Sequence, residues 1–366
     1  MKEDEVQKVV RSLADLASKS PELAQNLSEN DIRHVIYDTQ LYLNKKFAEA
    51  STSEFRSYVQ QNLLTTRTYH FFFPIYQLFQ YPGGKELGYG TTILFGDIPS
   101  EVKESFISDW NHNFGIHTEW ARTKEELVER KAAAAFLKLE LKANGNDKAM
   151  DRAVQLAEDS VNVLRFVYQV NFPIGHSKFY LDNGQGSGGT GMPFFTFQGA
   201  AWYNARLEPY IQTLSEILSD ATPQDIEKRV RAALKIFGIQ TKTEDRNVRL
   251  LLLISCLEGL LLSPSDRDYL GWRVAEKTTF LLGKDEGNRK EIFEFITESY
   301  DKRSRFAHQD QRSGKEVTEN DLLQMIDVIQ GLVHRLLELM NEGYSQIQKD
   351  PQKSTIDGFV EVEKFR

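Results

Sequence analysis

Apolar and polar positions alternate with helical periodicity over the C-terminal third of the chain. From Thr222 onward, apolar residues recur three and four positions apart, the spacing that buries one face of a helix. Thr222 is expected to cap the first helix, and Gly238 and Gly283 to end the first and third. The pattern predicts helices at residues 223–237, 246–262, 266–282, 288–307 and 318–341. We therefore expect a helical domain over residues 222–345, followed by a loose polar tail at 346–366.

The first 221 residues show a mixed pattern, which predicts an α+β region with a small β-hairpin element. Apolar spacing predicts helices at 6–17, 32–48 and 150–168, and capping-box spacing predicts another at 127–141 that pairs with the last one. An aromatic stretch at 68–80, interrupted by Pro74, precedes a turn and a short strand at 91–95. Core packing is the favoured role for Tyr69 to Phe73, with base stacking as the alternative. Strands at 174–181 and 192–197 would flank a glycine-rich loop rather than a phosphate cradle.

Composition narrows the class of protein. A length of 366 residues is typical of a protein with two domains. A content of 27% charged residues is typical of a globular protein. Its N-terminus does not resemble a secretory signal, and its apolar runs are too short to span a bilayer, so we expect a cytoplasmic protein without membrane contact. The single cysteine, Cys256, lies in an apolar run and is interpreted as a buried hydrophobic residue.

Charge is distributed unevenly. The formal net charge of -8 argues against a surface that coats nucleic acid broadly. Residues 302–315 nevertheless carry a local charge of +4, with His308 counted as neutral. The alternatives are a local phosphate-binding patch and a solvated basic helix end.

Arg303 lies on the apolar side of its predicted helix. At about 100 degrees per residue, it falls near the centre of the stripe formed by Ile292, Ile296 and Tyr300. An unpaired buried guanidinium would be costly, and Glu258 interrupts an otherwise apolar run in another helix. Glu258 and Arg303 are therefore expected to pair across helices, with Arg273 as a competing partner for the carboxylate.

His308 follows Arg303 by five residues, about 140 degrees around an unbroken helix. The two side chains could meet only if the helix ends or bends between them, or if two copies of the chain share a site. An arginine and a histidine suffice for metal-independent RNA cleavage, because histidine moves protons near neutral pH and guanidinium holds phosphate oxygens. The 2'-hydroxyl of RNA would be the nucleophile.

Several sequence pieces resemble the HEPN superfamily (higher eukaryotes and prokaryotes nucleotide-binding), in its Apea-like branch. They are the apolar run 251–262 with its acid Glu258, the segment Trp272-Arg273-Val274-Ala275, and residues 300–308, Tyr-Asp-Lys-Arg-Ser-Arg-Phe-Ala-His. The resemblance covers residues 222–340. It implies an all-helical HEPN-like bundle that usually forms a homodimer. Together with the α+β region before it, this bundle gives an expected fold that is mainly α, and α+β over the whole chain.

The resemblance also implies site residues. Arg303 and His308 match the family's catalytic arginine and histidine, where Arg303 would stabilise the scissile phosphate and His308 would transfer protons. Glu258, Ser304 and Arg305 are supporting candidates. Lys302, Arg312 and Lys315 are candidate RNA contacts. The chain departs from the branch at Gln309, where a glycine is usual.

We therefore expect a metal-independent endoribonuclease without a cofactor, acting in phage defence or a toxin system. Its partners would be RNA, a second copy of the chain and an antitoxin or defence protein, and its N-terminal region would sense a trigger or hold the site inactive. The alternative is a catalytically inactive module that binds a nucleotide, RNA or a partner protein. Arg303→Lys separates the two, because it keeps the charge and loses the bidentate geometry.

Overall fold

The computed structural model describes residues 66–75, 86–94, 135–144, 146–169, 178–181, 207–263, 266–307, 316–347 and 355–364. The fold is mainly α with some β, as expected. The chain forms two compact units: one comprises residues 1–86, 90–158 and 173–195, and the other 87–89, 159–172 and 196–366. The second unit thus also includes residues upstream of the boundary predicted at 222. The predicted helices at 6–17 and 32–48, the strand at 192–197 and the glycine-rich loop lie outside the described residues.

The described part of the first unit contains most of a small sheet and the first half of a long helix. The strands of the sheet are β1 (Arg67–Ile75), β2 (Glu86–Leu87), β3 (Thr91–Leu94), β4 (Ala135–Ala143) and β5 (Lys178–Leu181), in the order β2-β3-β4-β1-β5. β1 pairs antiparallel with β4 and β5, and β3 with β4. Tyr69, Phe71 and Phe73 of β1 are at most 1% exposed, so their predicted role in the core is confirmed. The short strand predicted at 91–95 is also confirmed, as β3.

β4 occupies a position where the sequence analysis predicted a helix, and that prediction is wrong. Residues 135–143 are rich in alanine, leucine, lysine and glutamate, which favour helix locally. Leu137, Leu139, Leu141 and Ala143 are nevertheless buried, whereas Glu140 and Lys142 are exposed, a period of two. Pairing with β1 on one side and β3 on the other overrides the helical preference. The expected antiparallel helix pair therefore does not form over residues 135–141, although α1 (Asn146–Tyr168) forms as predicted.

The second unit is built around one central helix. It contains a short 3-10 helix (Glu208–Tyr210), α2 (Ile211–Ser219), α3 (Asp225–Gln240), α4 (Arg246–Leu261), α5 (Leu270–Leu282), α6 (Glu286–Ala307), α7 (Glu319–Ile347) and α8 (Ile356–Lys364). α4 packs against α3, α5, α6 and α7. Its Cys256 is fully buried as predicted, and burial raises the pKa of the thiol. None of the helices in the described ranges combines the length and apolar character required to cross a membrane.

Helix ends differ from the predictions where side chains supply the stop signals. Gln224, not Thr222, caps α3 in a capping box with Glu227. Gly238 lies inside α3 instead of ending it. Glycine is required there because a Cβ would come within 1.9 Å of the Asn162 amide oxygen. α5 begins at Leu270 rather than at residue 266, and Gly283 follows its last residue as expected.

The predicted loose tail is wrong over residues 356–364, which form α8. Ile356, Phe359 and Val360 are at most 4% exposed, and α8 packs against α5. Its polar residues also make contacts: the Asp357 carboxylate lies 2.7 Å from the amine of Lys277. The polar composition of the segment concealed an amphipathic helix, with one apolar face and charged residues that pair with the bundle.

Candidate functional site

The predicted pair of Glu258 and Arg303 forms. Nη1 of Arg303, on α6, donates a hydrogen bond of 2.6 Å to Oε1 of Glu258, near the end of α4. The side chains are 31% and 20% exposed, respectively, so the pair is shielded but not sealed from water. This one bond engages a single nitrogen of the guanidinium, which has five N–H donors. The remaining donors can therefore serve a phosphate that approaches the exposed side.

Tyr300 completes a three-residue cluster with this pair. Its hydroxyl donates a hydrogen bond of 3.1 Å to the same Oε1 of Glu258, and the Arg303 guanidinium carbon lies 5.7 Å from its ring centroid. Burial raises the pKa of the Tyr300 hydroxyl, and the negative charge of Glu258 raises it further. The phenol therefore stays protonated and acts as a donor, so carboxylate and ring together fix the position of the guanidinium.

A glycine in α5 permits the close approach of Tyr300. A Cβ built on Gly271 would lie 3.0 Å from two carbon atoms of the tyrosine ring, closer than ordinary van der Waals contact. Trp272, the next residue, packs edge-to-face with Phe293 of α6, with ring centroids 6.2 Å apart. The first turn of α5 thus lies against the face of α6 that carries the site.

Two cations hold the last turn of α4, which carries Glu258. Nη1 of Arg229 donates to the carbonyl oxygen of Leu262 at 2.6 Å and to that of Gly259 at 3.3 Å. Nζ of Lys277 donates to the carbonyl oxygen of Leu261 at 3.0 Å. Helix C-termini leave carbonyl groups without partners inside the helix and carry partial negative charge, which cations offset. The backbone that positions Glu258 is therefore restrained on two sides.

Arg273 does not compete for Glu258, contrary to the expectation. Its Nη1 instead lies 2.7 Å from Oδ1 of Asp266, and its Nε donates to the backbone carbonyl oxygen of Asp268. The other oxygen of Asp266 binds Lys277 at 2.9 Å. Burial by itself would raise the pKa of Asp266, but hydrogen bonds from Lys277 and from Ser263, together with the lysine's charge, outweigh it and lower the pKa to about 2. Asp266 is thus an anchor for two cations.

Lys302 forms ion pairs within the helical unit. Its amine lies 2.8 Å from Oδ1 of Asp321, in the first turn of α7, and 3.6 Å from Oε1 of Glu298. The lysine side chain is only 9% exposed. Although burial opposes it, the hydrogen bond from Lys302 lowers the pKa of Asp321. This arrangement ties α6 to α7 and leaves little of the amine for RNA.

The other candidate residues fall into two groups. Ser304 and Arg305 are exposed on the last turns of α6. His308, Arg312 and Lys315 lie outside the described residues, as does Gln309. Because α6 is continuous through Ala307, any change of direction that brings His308 to Arg303 must occur after Ala307. Of the predicted catalytic pair, the structure therefore places only the arginine.

A large cleft lies elsewhere in the second unit. It has a volume of about 1220 Å³ and runs between the end of α5 and one face of α7, with Leu282, Arg289, Gly331 and Arg335 among its lining residues. Neither Glu258, Tyr300 nor Arg303 lines it. The volume of this cleft does not by itself indicate chemistry. The cluster around Arg303 is the stronger candidate site, because it holds a partly exposed charge at the edge of the core.

Sequence reasoning missed Tyr300 and Lys277 as members of the polar network. Lys277 had a detectable signal, because it falls on the apolar face of α5 with Val274 and Leu281, the same phase argument that identified Arg303. The contact between Gly271 and Tyr300 left no such signal, since it depends on how two helices meet.

Comparison of the chain with family models, curated proteins and solved structures gives no match. Membership of the HEPN superfamily is therefore a prediction that depends on the sequence pieces quoted above.

Proposed function

We propose that the second unit is a metal-independent endoribonuclease of HEPN type, in which Arg303 and His308 act on the scissile phosphate. The observation that carries the proposal is the placement of Arg303. Glu258 and Tyr300 fix its guanidinium, and the Arg303 side chain is 31% exposed. A fixed, partly desolvated guanidinium is suited to stabilising charge that develops on phosphate oxygens. The proposed location is the cytoplasm.

The reaction would use the substrate's own nucleophile. The 2'-oxygen of RNA attacks the adjacent phosphorus, the bond from phosphorus to the 5'-oxygen breaks, and a cyclic phosphate and a free 5'-hydroxyl result. One proton leaves the 2'-hydroxyl and one is delivered to the 5'-oxygen. His308 would carry out proton transfer, and Arg303 would hold the phosphate oxygens. DNA lacks the nucleophile and would not be cut.

The geometry along α6 also supports a homodimer as part of the proposal. On an unbroken helix, Arg303 and His308 would point about 140 degrees apart. A second copy related by a two-fold axis would supply the missing partner to each site. We further propose regulation of the nuclease, in phage defence or a toxin system, with an antitoxin or defence protein as partner and the N-terminal region as sensor or restraint.

A second candidate function is a module that binds a nucleotide, RNA or a partner protein and does not cut. The contact of 2.6 Å between Arg303 and Glu258 favours it, because this bond alone explains a charged residue on the apolar face of α6. In that case Arg303 would hold helices α4 and α6 in register.

The test incubates the purified full chain with RNA and with single-stranded DNA in excess chelator, and analyses product ends by mass spectrometry. Wild type should cut RNA to cyclic phosphate ends, and His308→Ala and Arg303→Lys should abolish cutting. His334→Ala is the matched control, since His334 is a partly exposed histidine on α7 beside Glu338. RNA that stays intact with wild type across salt concentrations would overturn the proposal in favour of the binding module. His308→Ala cutting at the wild-type rate would overturn the proposed role of His308 in the reaction.

A further inference from the structure

Tyr269 combines two unfavourable properties that its own fold does not explain. It immediately precedes α5 with φ 55° and ψ 40°, in the left-handed region that non-glycine residues rarely adopt. Its side chain is also 83% exposed. Gln169, at φ 56°, differs in that its side chain donates a hydrogen bond of 2.7 Å to Gln330. Strain at an exposed aromatic residue is a reason to look for an external partner.

Trp272 extends the exposed aromatic surface by one helical turn. It follows Tyr269 by three residues, and Tyr269 directly precedes α5, so both aromatic side chains belong to the start of this helix. Trp272 is 54% exposed although its ring contacts Phe293 edge-to-face. The contact with Phe293 restrains the indole while leaving much of its surface open. We call Tyr269 and Trp272 the aromatic platform.

The aromatic platform adjoins the support of Arg303. Gly271, between the two aromatic residues, is the residue that packs on the ring of Tyr300. The guanidinium carbon of Arg303 lies 5.7 Å from the centroid of that same ring. A chain molecule lying on the aromatic platform would therefore pass close to the proposed phosphate site.

Charge around the aromatic platform suits an anionic partner. Two acids of this region are paired with arginines: Asp266, 5% exposed, binds Arg273, and Glu258 binds Arg303. Arg267 is exposed, and the Arg273 side chain is 43% exposed. Asp268 is an exposed carboxylate in the same turn. Arg267, two residues before Tyr269, and Arg273, next to Trp272, suit the phosphates of a nucleic acid, whose bases supply flat faces for stacking.

We propose that the aromatic platform stacks unpaired bases of single-stranded RNA and leads the strand to Arg303. The proposal rests on the proposed function and specifies its substrate class. Bases in a duplex are already stacked and paired, so a double-stranded RNA would not present free faces to Tyr269 and Trp272. Single strands would therefore bind more tightly than duplexes of the same sequence.

The test measures binding separately from cutting. Fluorescence anisotropy with a labelled single-stranded 2'-O-methyl oligonucleotide reports affinity, because this probe has no free 2'-hydroxyl to attack the phosphate. Trp272→Ala and Tyr269→Ala should each weaken binding by about 5- to 150-fold, the range expected for loss of one base stack. Tyr269→Phe should retain it. Ile239→Ala is the control, because Ile239 on α3 has the same 54% exposure as Trp272.

Tyr269→Gly separates binding from folding. Glycine adopts φ 55° without strain, so this variant should melt at the same or a higher temperature than wild type while losing RNA affinity. The proposal is overturned if Tyr269→Gly and Trp272→Ala bind as Ile239→Ala does, or if duplex probe binds as tightly as single strand. It is also overturned if these variants leave RNA affinity intact and instead convert a dimer to a monomer.

The outcome is distinguishable from that of the nuclease proposal. Binding that depends on the aromatic platform, without cleavage of natural RNA, would sustain the platform and refute the nuclease. Cleavage that requires Arg303 and His308 but is insensitive to Tyr269 and Trp272 would do the reverse.

Discussion

Replacement of Glu258 by alanine removes the group on which the Arg303 cluster is built. The carboxylate accepts from Nη1 of Arg303 at 2.6 Å and from the Tyr300 hydroxyl at 3.1 Å. Both donors lie on α6 and the acceptor lies on α4, so the bonds connect two helices. The variant leaves a guanidinium with no carboxylate in a position where most of its side chain is shielded from water.

The expected loss of stability is about 2.5–3 kcal/mol. A hydrogen bond to a charged group contributes about 1.5–3 kcal/mol, and a neutral hydroxyl bond about 1 kcal/mol. We take the lower half of the sum because Arg303, at 31% exposure, can be partly rehydrated. A double-mutant cycle with Arg303→Ala should give a coupling free energy of about 1–2 kcal/mol.

Urea denaturation followed by circular dichroism measures these free energies, and amide hydrogen exchange of α4 and α6 locates them. Lys290 and Glu294 supply the matched control pair on the same helix. They lie 3.9 Å apart at 74% and 66% exposure, so their coupling should stay below about 0.5 kcal/mol. A coupling between Glu258 and Arg303 no larger than the control value would refute the argument that this pair holds α4 and α6 together.

Three further predictions concern the surroundings of this site. Gly271→Ala should lower stability by about 1–3 kcal/mol, because its methyl group would meet the Tyr300 ring at 3.0 Å; an unchanged melting temperature would show that the helices can shift apart. Lys277→Ala should cost about 3 kcal/mol in urea denaturation, since it leaves Asp266 at 5% exposure without this cation, whereas Asp357→Asn, at a residue 53% exposed, should cost about 0.5 kcal/mol or less. Because the pKa of Asp266 is lowered from 3.8 to about 2, its stabilisation is complete above the unfolded value and is lost as pH falls through the folded one. Between pH 4 and pH 2 the urea midpoint should drop by the equivalent of about 2 kcal/mol, and Asp266→Asn should abolish that part of the pH dependence.

The sequence predicts α4 from its long apolar run and α6 from its helically spaced apolar residues. The same phase argument predicts that Arg303 faces the core and pairs with Glu258, and both statements are confirmed by the structure. A charged residue on an apolar face must find a partner, which makes the pairing predictable before the fold is known.

Other elements could not be predicted because tertiary pairing decides them. The segment that forms β4 has residues typical of a helix, and its neighbours β1 and β3 determine its extended conformation. In the candidate site, the bond from Tyr300 to Glu258 depends on the approach angle of α5 and α6. Gly271 is informative only once Tyr300 is seen against it.

The position of α8 has a consequence for dividing the protein into fragments. Lys277 binds both Asp357 of α8 and the terminal carbonyl group of α4 at Leu261, and Arg335 of α7 binds Glu363 of α8 at 3.0 Å. The polar sequence after residue 345 suggests a fragment that ends there. Such a fragment would expose the apolar surface under α8 and remove the carboxylates of Asp357 and Glu363. Fragments of the second unit should therefore extend to residue 364, with affinity tags placed beyond it.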